Sequence, residues 1–378
     1  MNDVVIAGYV RSPFTPAKKG ELAKVRPDDL AAQTVRALVQ RTGVDPADIE
    51  DLILGCAFPE GEQGFNVARL IAFLAELPLT VAGATVNRFC GSSMQAIHIA
   101  AGAIQMNAGE AFVCAGVESM TRVPMGGFNP LPNPALYKRY PQAFAAMGET
   151  AENLARQHHI PRRRQEELAL SSQQKAAAAL AAGHFAAELV PVAWKGGTVE
   201  RDGTPRPDTT LEGLANLRLA FDEKGTVTAG TSSPVTDGAA ATLVCSEDYA
   251  RRKGLAPLAR IRSIAVSGCQ PEIMGIGPVA ATRKALARAG LALGDIDVVE
   301  LNEAFAAQTL ACVDELGLDL AKVNIDGGAI ALGHPLGATG ARITGKAAAL
   351  LVRERKRYAL ATQCIGGGQG IATILEAV

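Results

Sequence analysis

Cys90 lies in Thr85-Val86-Asn87-Arg88-Phe89-Cys90-Gly91-Ser92-Ser93-Met94-Gln95-Ala96-Ile97-His98, where a β-branched run breaks on small residues and becomes an apolar-periodic helix. A thiol at a helix start faces unpaired backbone N–H groups with partial positive charge. Such a field favours thiolate and lowers a cysteine pKa from about 8.5 toward neutrality. Cys90 is therefore a candidate nucleophile, although burial as a small hydrophobe is the ordinary fate of a free cysteine. Three more chemistry-bearing residues stand where strands are expected to end. Asn302 opens Asn302-Glu303-Ala304-Phe305-Ala306, His334 lies in Ala331-Leu332-Gly333-His334-Pro335-Leu336-Gly337, and Cys364 leads into Ile365-Gly366-Gly367-Gly368-Gln369-Gly370. Taken singly, each has a structural explanation: a turn-forming Asn, a His in a Gly/Pro turn, a glycine run as a tight turn.

The elements that must position these residues come from an internal repeat. Shifting the chain by 247 positions lays Arg36, Arg41, Gly43, Asp48 and Ile49 on Arg283, Arg288, Gly290, Asp295 and Ile296. Both copies read as an amphipathic helix, a glycine C-cap, an acidic turn and an apolar strand. The same shift carries Asn87 onto His334, Cys90 onto Gly337 and Val117 onto Cys364. Val4–Gly8 resembles Ile261–Ala265 as a starting strand, and Gly238–Val244 resembles Gly370–Leu375 as a closing one. Residues from about 119 to 237 then form an excursion before the last strand of the first half. It carries Pro124, Pro130, Pro132, Pro134 and Pro141, a charged helix around 161–182 and a turn-rich stretch from Gly196 to Asp208. Excursions of this length are usually lids or binding loops. Alternating strands and helices with Ala-rich apolar runs predict an α/β fold with mostly parallel, buried strands, whose ligands bind beyond the strand carboxyl ends.

Composition bounds the function. A chain of 378 residues exceeds one ordinary core, so two or three structural units are expected. With net charge −1 and 4% aromatic residues, there is no electrostatic footprint for nucleic acid or a membrane surface. The N-terminal run Val4–Gly8 is too short for a signal peptide or membrane span, and the C-terminus Leu375-Glu376-Ala377-Val378 carries no peroxisomal address, so a cytoplasmic setting is expected. The seven cysteines are scattered and never form a Cys-x-x-Cys pair, which argues for reduced thiols rather than zinc or disulfides.

Together the motifs resemble the thiolase family. Val86-Asn87-Arg88-Phe89-Cys90-Gly91-Ser92-Ser93, Thr228-Ala229-Gly230-Thr231-Ser232-Ser233 with Asp237-Gly238-Ala239-Ala240, Asn302-Glu303-Ala304-Phe305-Ala306, Gly333-His334-Pro335-Leu336-Gly337 and Cys364-Ile365-Gly366-Gly367-Gly368-Gln369-Gly370 stand in the family order, across essentially the whole chain. The resemblance implies a five-layered αβαβα fold. Residues 1–118 and 235–258 would make one half, 119–234 an inserted loop domain for CoA and acyl-chain contacts, and 259–378 the second half. It also implies CoA-dependent thiolysis of 3-ketoacyl-CoA, with CoA as substrate and neither metal nor redox cofactor. Cys90 would be the nucleophile, His334 its base, Asn302 the residue positioning an oxyanion-hole water, and Cys364 the acid/base at the acetyl carbon. The N–H groups of Cys90 and Gly366 would form the oxyanion hole of the acyl-enzyme. Ser233 matches a pantetheine contact, Arg206 an arginine near the adenine, and Met147 an acyl-pocket residue. A homodimer or dimer of dimers is implied, as is association with an enoyl-CoA hydratase/3-hydroxyacyl-CoA dehydrogenase subunit.

Ala146 stands where acetoacetyl-type members resemble one another in having His. Together with Arg206-Pro207-Asp208-Thr209-Thr210 and Gly275-Ile276-Gly277-Pro278-Val279, it favours the degradative, fatty-acid-oxidising branch over biosynthetic condensation of acetyl-CoA. A decarboxylating condensing enzyme would share the duplicated fold but not a second catalytic cysteine. A papain-like protease fails on fold pattern, and a catalytically silent CoA- or lipid-binding protein has no reason to keep Cys90, His334 and Cys364 together.

Overall fold

The computed structural model describes residues 3–378; Met1 and Asn2, which open the first half as delimited above, lie outside the described residues. Helix Pro27–Thr42 starts on a proline, carries Asp28 and Asp29 in its first turn and ends at Gly43 with φ +71°. Helix Gly277–Ala289 has Pro278 in its first turn and ends at Gly290 with φ +68°. Both therefore use the expected left-handed glycine stop.

The repeat is visible in strand order. In the first half Val4–Arg11, Thr236–Ser246, Ala111–Ser119, Ile49–Gly55 and Ala82–Val86 lie side by side in that sequence. In the second, Ala259–Gly268, Gln369–Glu376, Tyr358–Ile365 and Val298–Leu301 do the same, and Val323 bridges in parallel to Val299 in the fifth place. Val5 and Ile6 pair antiparallel with Arg260 and Ala259, joining the two runs. The copies part company at Ala82–Val86, whose shifted equivalent is the short helix Ala329–Leu332 that leads into His334.

The sheet is mixed, and the expectation of mostly parallel strands holds only within the helix-connected units. Parallel pairing joins Ile49–Gly55 to its two neighbours and Val298–Leu301 to Tyr358–Ile365. The first and last strands of each half run antiparallel to the strands beside them. The reason is the connection. Tyr358–Ile365 folds back on Gln369–Glu376 through Gly366, Gly367 and Gly368, the last two at φ +79° and +82°, and a tight turn allows only antiparallel pairing. In the first half the equivalent hairpin is opened between Ser119 and Thr236, and the long excursion leaves from there. Its charged helix spans Arg162–Ala181.

Helices Ser92–Gln105 and Leu336–Glu354 pack on each other between the two sheet halves, while Pro27–Thr42 and Gly277–Ala289 cover the outer faces. With both faces covered, Ala111–Ser119 and Thr236–Ser246 are buried at every position and read as continuous rather than alternating apolar runs. Leu336–Glu354 is buried along most of its length. Its charges are compensated internally: Arg342 lies 3.3 Å from Glu300, and Lys346 lies 3.1 Å from Glu188 and 2.7 Å from Asp326. Both central helices point their N-termini at the site, which puts Cys90 at one and His334 at the other.

Candidate active site

The Cys90 turn is fastened on both sides. Ser92 Oγ donates to the Phe89 carbonyl at 2.6 Å and accepts from Arg88 N–H at 2.9 Å, while Asn87 Oδ1 accepts from Phe89 N–H at 2.8 Å. Phe89 takes φ +41°, a left-handed conformation that an aromatic residue adopts only at a cost of about 1–3 kcal/mol. The strained turn presents Cys90 immediately ahead of helix Ser92–Gln105, and Cys90 is 8% exposed. The Gln363 amide donates to the Cys90 carbonyl and ties the turn to the strand that carries Cys364.

The expected lowering of the Cys90 pKa is overturned. Burial pushes the thiol up to about 11; hydrogen bonding from the N–H groups of Gly366 and Cys90 pulls it down less strongly, and the Glu118 charge adds to the rise. A helix terminus contributes a partial charge, which does not offset removal of a full thiolate charge from water. Cys90 thus rests as a neutral thiol, which would need a base to act as a nucleophile.

His334 is the candidate base. It is 5% exposed, and burial, reinforced by the Arg342 charge, pushes its pKa down to about 3. Nδ1 lies 2.6 Å from Thr339 Oγ1, whose hydroxyl in turn reaches the Pro335 carbonyl at 3.3 Å. This pairing makes Nδ1 the donor and leaves Nε2 with a free lone pair, 3.4 Å from Asn302 Nδ2. Asn302 is fully buried, and its Oδ1 has no protein partner, so the amide is held with one polar atom uncommitted at the centre.

Cys364, also fully buried, is coupled electrostatically to Cys90, and burial followed by that coupling pushes its thiol well above the ordinary range. Its apolar surroundings include Met147, Met274, Ala304 and Phe305. Gly366 bridges the two cysteines: its N–H addresses the Cys90 sulfur, and a side-chain carbon there would stand 3.5 Å from Met147 Sδ and 3.8 Å from Phe89. No clash with the protein demands glycine at 366, so its smallness keeps a slot open between Met147 and Phe89.

Cys90, Cys364, Gly366 and Met147 are thus brought together, and the segments of His334 and Asn302 pack against them: Leu336 lies in one apolar cluster with Cys90, and Ala304 in another with Cys364 and Met147. Ser233 stands at the neck of the excursion, its N–H donating to Ala304 of the Asn302 segment at 3.0 Å. Arg206 does not join the centre; it is exposed and borders a groove with Gln173, Asp208, Thr210 and Gly230. Among the described residues no group of three or more His, Cys, Asp or Glu side chains is placed to hold a metal ion. Thr339, Gln363 and Glu118 escaped sequence reasoning. The one signal available was a carboxylate closing the otherwise apolar strand Ala111–Ser119.

The chain matches the thiolase N-terminal domain over residues 4–248 and the thiolase C-terminal domain over residues 255–377. It is 51% identical over 388 residues to a 3-ketoacyl-CoA thiolase of Erwinia tasmaniensis and 46% identical over 389 residues to one of Bacillus subtilis, each comparison covering 100% of both chains. Among solved structures, the acetyl-CoA acetyltransferase of Bacillus anthracis superposes with a TM-score of 0.93 at 41% identity, covering 100% of this chain and 99% of that one. Human mitochondrial 3-ketoacyl-CoA thiolase in complex with CoA superposes with a TM-score of 0.92 at 40% identity, covering 100% and 98%. Two cysteines, a histidine and an asparagine converging from both halves of a duplicated α/β chain, and full-length matches of this strength, place the protein in the thiolase family.

Proposed function

We propose that this chain catalyses CoA-dependent thiolytic cleavage of 3-ketoacyl-CoA, yielding acetyl-CoA and a shortened acyl-CoA. The observation that carries the reading is the closeness of Cys90, the Gly366 N–H and Cys364, with the His334–Asn302 pair on segments packed against both cysteines. His334 Nε2 takes the Cys90 proton as the sulfur attacks the ketone carbon, and the resulting oxyanion is received by the N–H groups of Cys90 and Gly366. The bond between the α and β carbons breaks. The departing enolate is held by His334 and by a water positioned by Asn302, and Cys364 gives its carbon a proton. CoA thiol then attacks the acyl-Cys90 thioester, its proton passing to the Cys364 thiolate, while His334 returns the first proton to the Cys90 sulfur as the shortened acyl-CoA leaves. CoA enters as substrate, and every step is thiol, imidazole or backbone chemistry.

Residues 119–234 act in this proposal as the binding unit, with Met147 lining the acyl slot, Ser233 contacting pantetheine and Arg206 near the adenine. A cytoplasmic setting and degradative flux complete the reading; among the described residues no helix is long and apolar enough to cross a membrane. Thiolysis of 3-ketoacyl-CoAs of graded length tests it, followed by loss of the ketoacyl absorbance. Turnover that persists beyond the four-carbon substrate supports the degradative reading. Activity confined to acetoacetyl-CoA would instead place the chain with acetyl-CoA acetyltransferases, toward which the Bacillus anthracis structure points.

The chain is further proposed to act as a homodimer, or dimer of dimers, able to join a hydratase/dehydrogenase subunit. Strand Ala82–Val86 pairs on one side only, and Phe65 at 93% and Leu79 at 79% exposed stand near it with Phe73 and Leu74. An open strand edge beside exposed apolar side chains suits pairing with a second copy. Sedimentation equilibrium should give twice or four times the chain mass; a monomer would remove this part.

A further inference from the structure

We propose that the Glu118 carboxylate is a positioning residue that sets the Cys90 turn and the His334 turn against each other through one continuous hydrogen-bonded path. The proposal rests on the reading of Cys90 and His334 as nucleophile and base. Glu118 is the penultimate residue of strand Ala111–Ser119 and is 1% exposed. Its Oε2 accepts from Gly337 N–H at 2.9 Å and from Ala57 N–H at 2.8 Å; its Oε1 accepts from Phe58 N–H at 3.2 Å and from Gln63 Nε2 at 2.9 Å. Gly337 lies three residues beyond His334, in the first turn of helix Leu336–Glu354. A side-chain carbon at that glycine would fall 2.8 Å from Glu118 Oε2, so the close approach needs a bare α-carbon.

From Ala57 the path continues to the nucleophile. The Ala57 carbonyl accepts from Asn87 Nδ2 at 3.0 Å, and Asn87 Oδ1 accepts from Phe89 N–H at 2.8 Å, one residue before Cys90. One carboxylate therefore joins N–H groups from the two halves of the chain. A neutral side chain could not do the same: four N–H donors and the Cys56 thiol, 3.7 Å from Oε1, converge on two oxygens, and a carboxamide would turn an NH₂ toward some of them. Burying the charge is costly, and the stabilising groups around it are N–H donors, so the expense maintains the alignment of base and nucleophile. The same charge opposes ionisation of Cys56 and Cys90, adding to the burial that keeps the nucleophile protonated until His334 takes the proton.

The test uses the full chain carrying Glu118→Gln, Glu118→Asp or Asn87→Ala, with folding checked by thermal unfolding. Thiolysis of acetoacetyl-CoA and the pH dependence of Cys90 alkylation by iodoacetamide are then measured. Glu118→Gln should lower kcat about 10- to 100-fold with little change in KM, yet shift alkylation to lower pH: more thiolate and less turnover. Glu118→Asp keeps the charge but withdraws it by one methylene, so kcat falls while the alkylation profile stays in place. Asn87→Ala breaks the path on the nucleophile side and should also lower kcat without moving that profile. Wild-type kcat in a folded Glu118→Gln, or an alkylation midpoint in it that stays or rises, overturns the proposal. Should neither Glu118 variant fold, wild-type kcat in Asn87→Ala overturns it. Failure of the underlying reading shows separately, as absence of an acyl adduct on Cys90 in the unmodified protein.

Discussion

Replacing Cys90 by Ala is expected to lower kcat for thiolysis by at least about 10⁴-fold, some 5.5 kcal/mol of activation free energy, while leaving the fold intact. The loss is chemical rather than structural. The side chain is small, and the turn around it is held by Asn87, Ser92 and Gln363, which the substitution leaves in place. Without the sulfur no acyl-enzyme can form, and the neighbouring thiol of Cys364 cannot take over, because its burial, the larger cause of its raised pKa, still holds it protonated. Loss of the 3-ketoacyl absorbance and the mass of protein incubated with substrate measure the effect. The unmodified protein should gain one acyl group on Cys90 and Cys90→Ala none; equal rates in the two proteins would dismiss Cys90 as nucleophile. The measurement also bears on activation, since the thiol is raised to about 11 and His334 lowered to about 3. Both shifts favour neutral partners at rest, so the proton must move as the carbon–sulfur bond forms.

Replacing Cys364 by Ala should separate the two halves of the reaction. Acyl transfer from a saturated acyl-CoA to Cys90 needs the nucleophile, its base and the Gly366 N–H, and should persist. Steps that protonate or deprotonate the acetyl carbon lose their acid/base group, which is worth about 10²- to 10⁴-fold. Exchange of the acetyl-CoA α-hydrogens with deuterated water, read by mass spectrometry, should fall by that factor, and thiolysis with it. Undiminished exchange would remove Cys364 from the role, and loss of acylation as well would show that the substitution damaged the shared pocket lined by Met147 and Phe305. Gly366 adds a geometric reason for the separation: its N–H serves the Cys90 side, while Cys364, two residues earlier, sits in the apolar cluster.

The repeat carried much of the fold. Apolar periodicity and glycine stops marked the helices, and the 247-residue shift aligned Ile49–Gly55 with Val298–Leu301 and Ala111–Ser119 with Tyr358–Ile365. Strand direction was less legible, because a buried strand shows the same apolar run whether its neighbour is parallel or antiparallel. The glycine turn after Cys364 was visible in the chain, but its counterpart in the first half is interrupted by the excursion and has no local signature. Motif residues at strand ends and helix starts were legible as candidates because the proposed chemistry calls for their residue types. Their supports were not. Thr339 is an ordinary threonine until the fold sets it 2.6 Å from His334, and Glu118 is one acid among many until four N–H groups from distant segments meet it.

The sequence by itself determined the duplicated α/β plan and singled out the candidate reacting groups, since both reside in local patterns: periodicity, turn residues and side-chain type. Only the tertiary structure decided the state in which those groups rest. The local field of a helix start argues for a thiolate at Cys90, and burial between two sheet halves reverses it, because a full charge loses more on leaving water than a partial charge restores. Burial, unlike a motif, is a property of everything packed around a residue, and most of what surrounds Cys90 and His334 comes from segments far away in the chain.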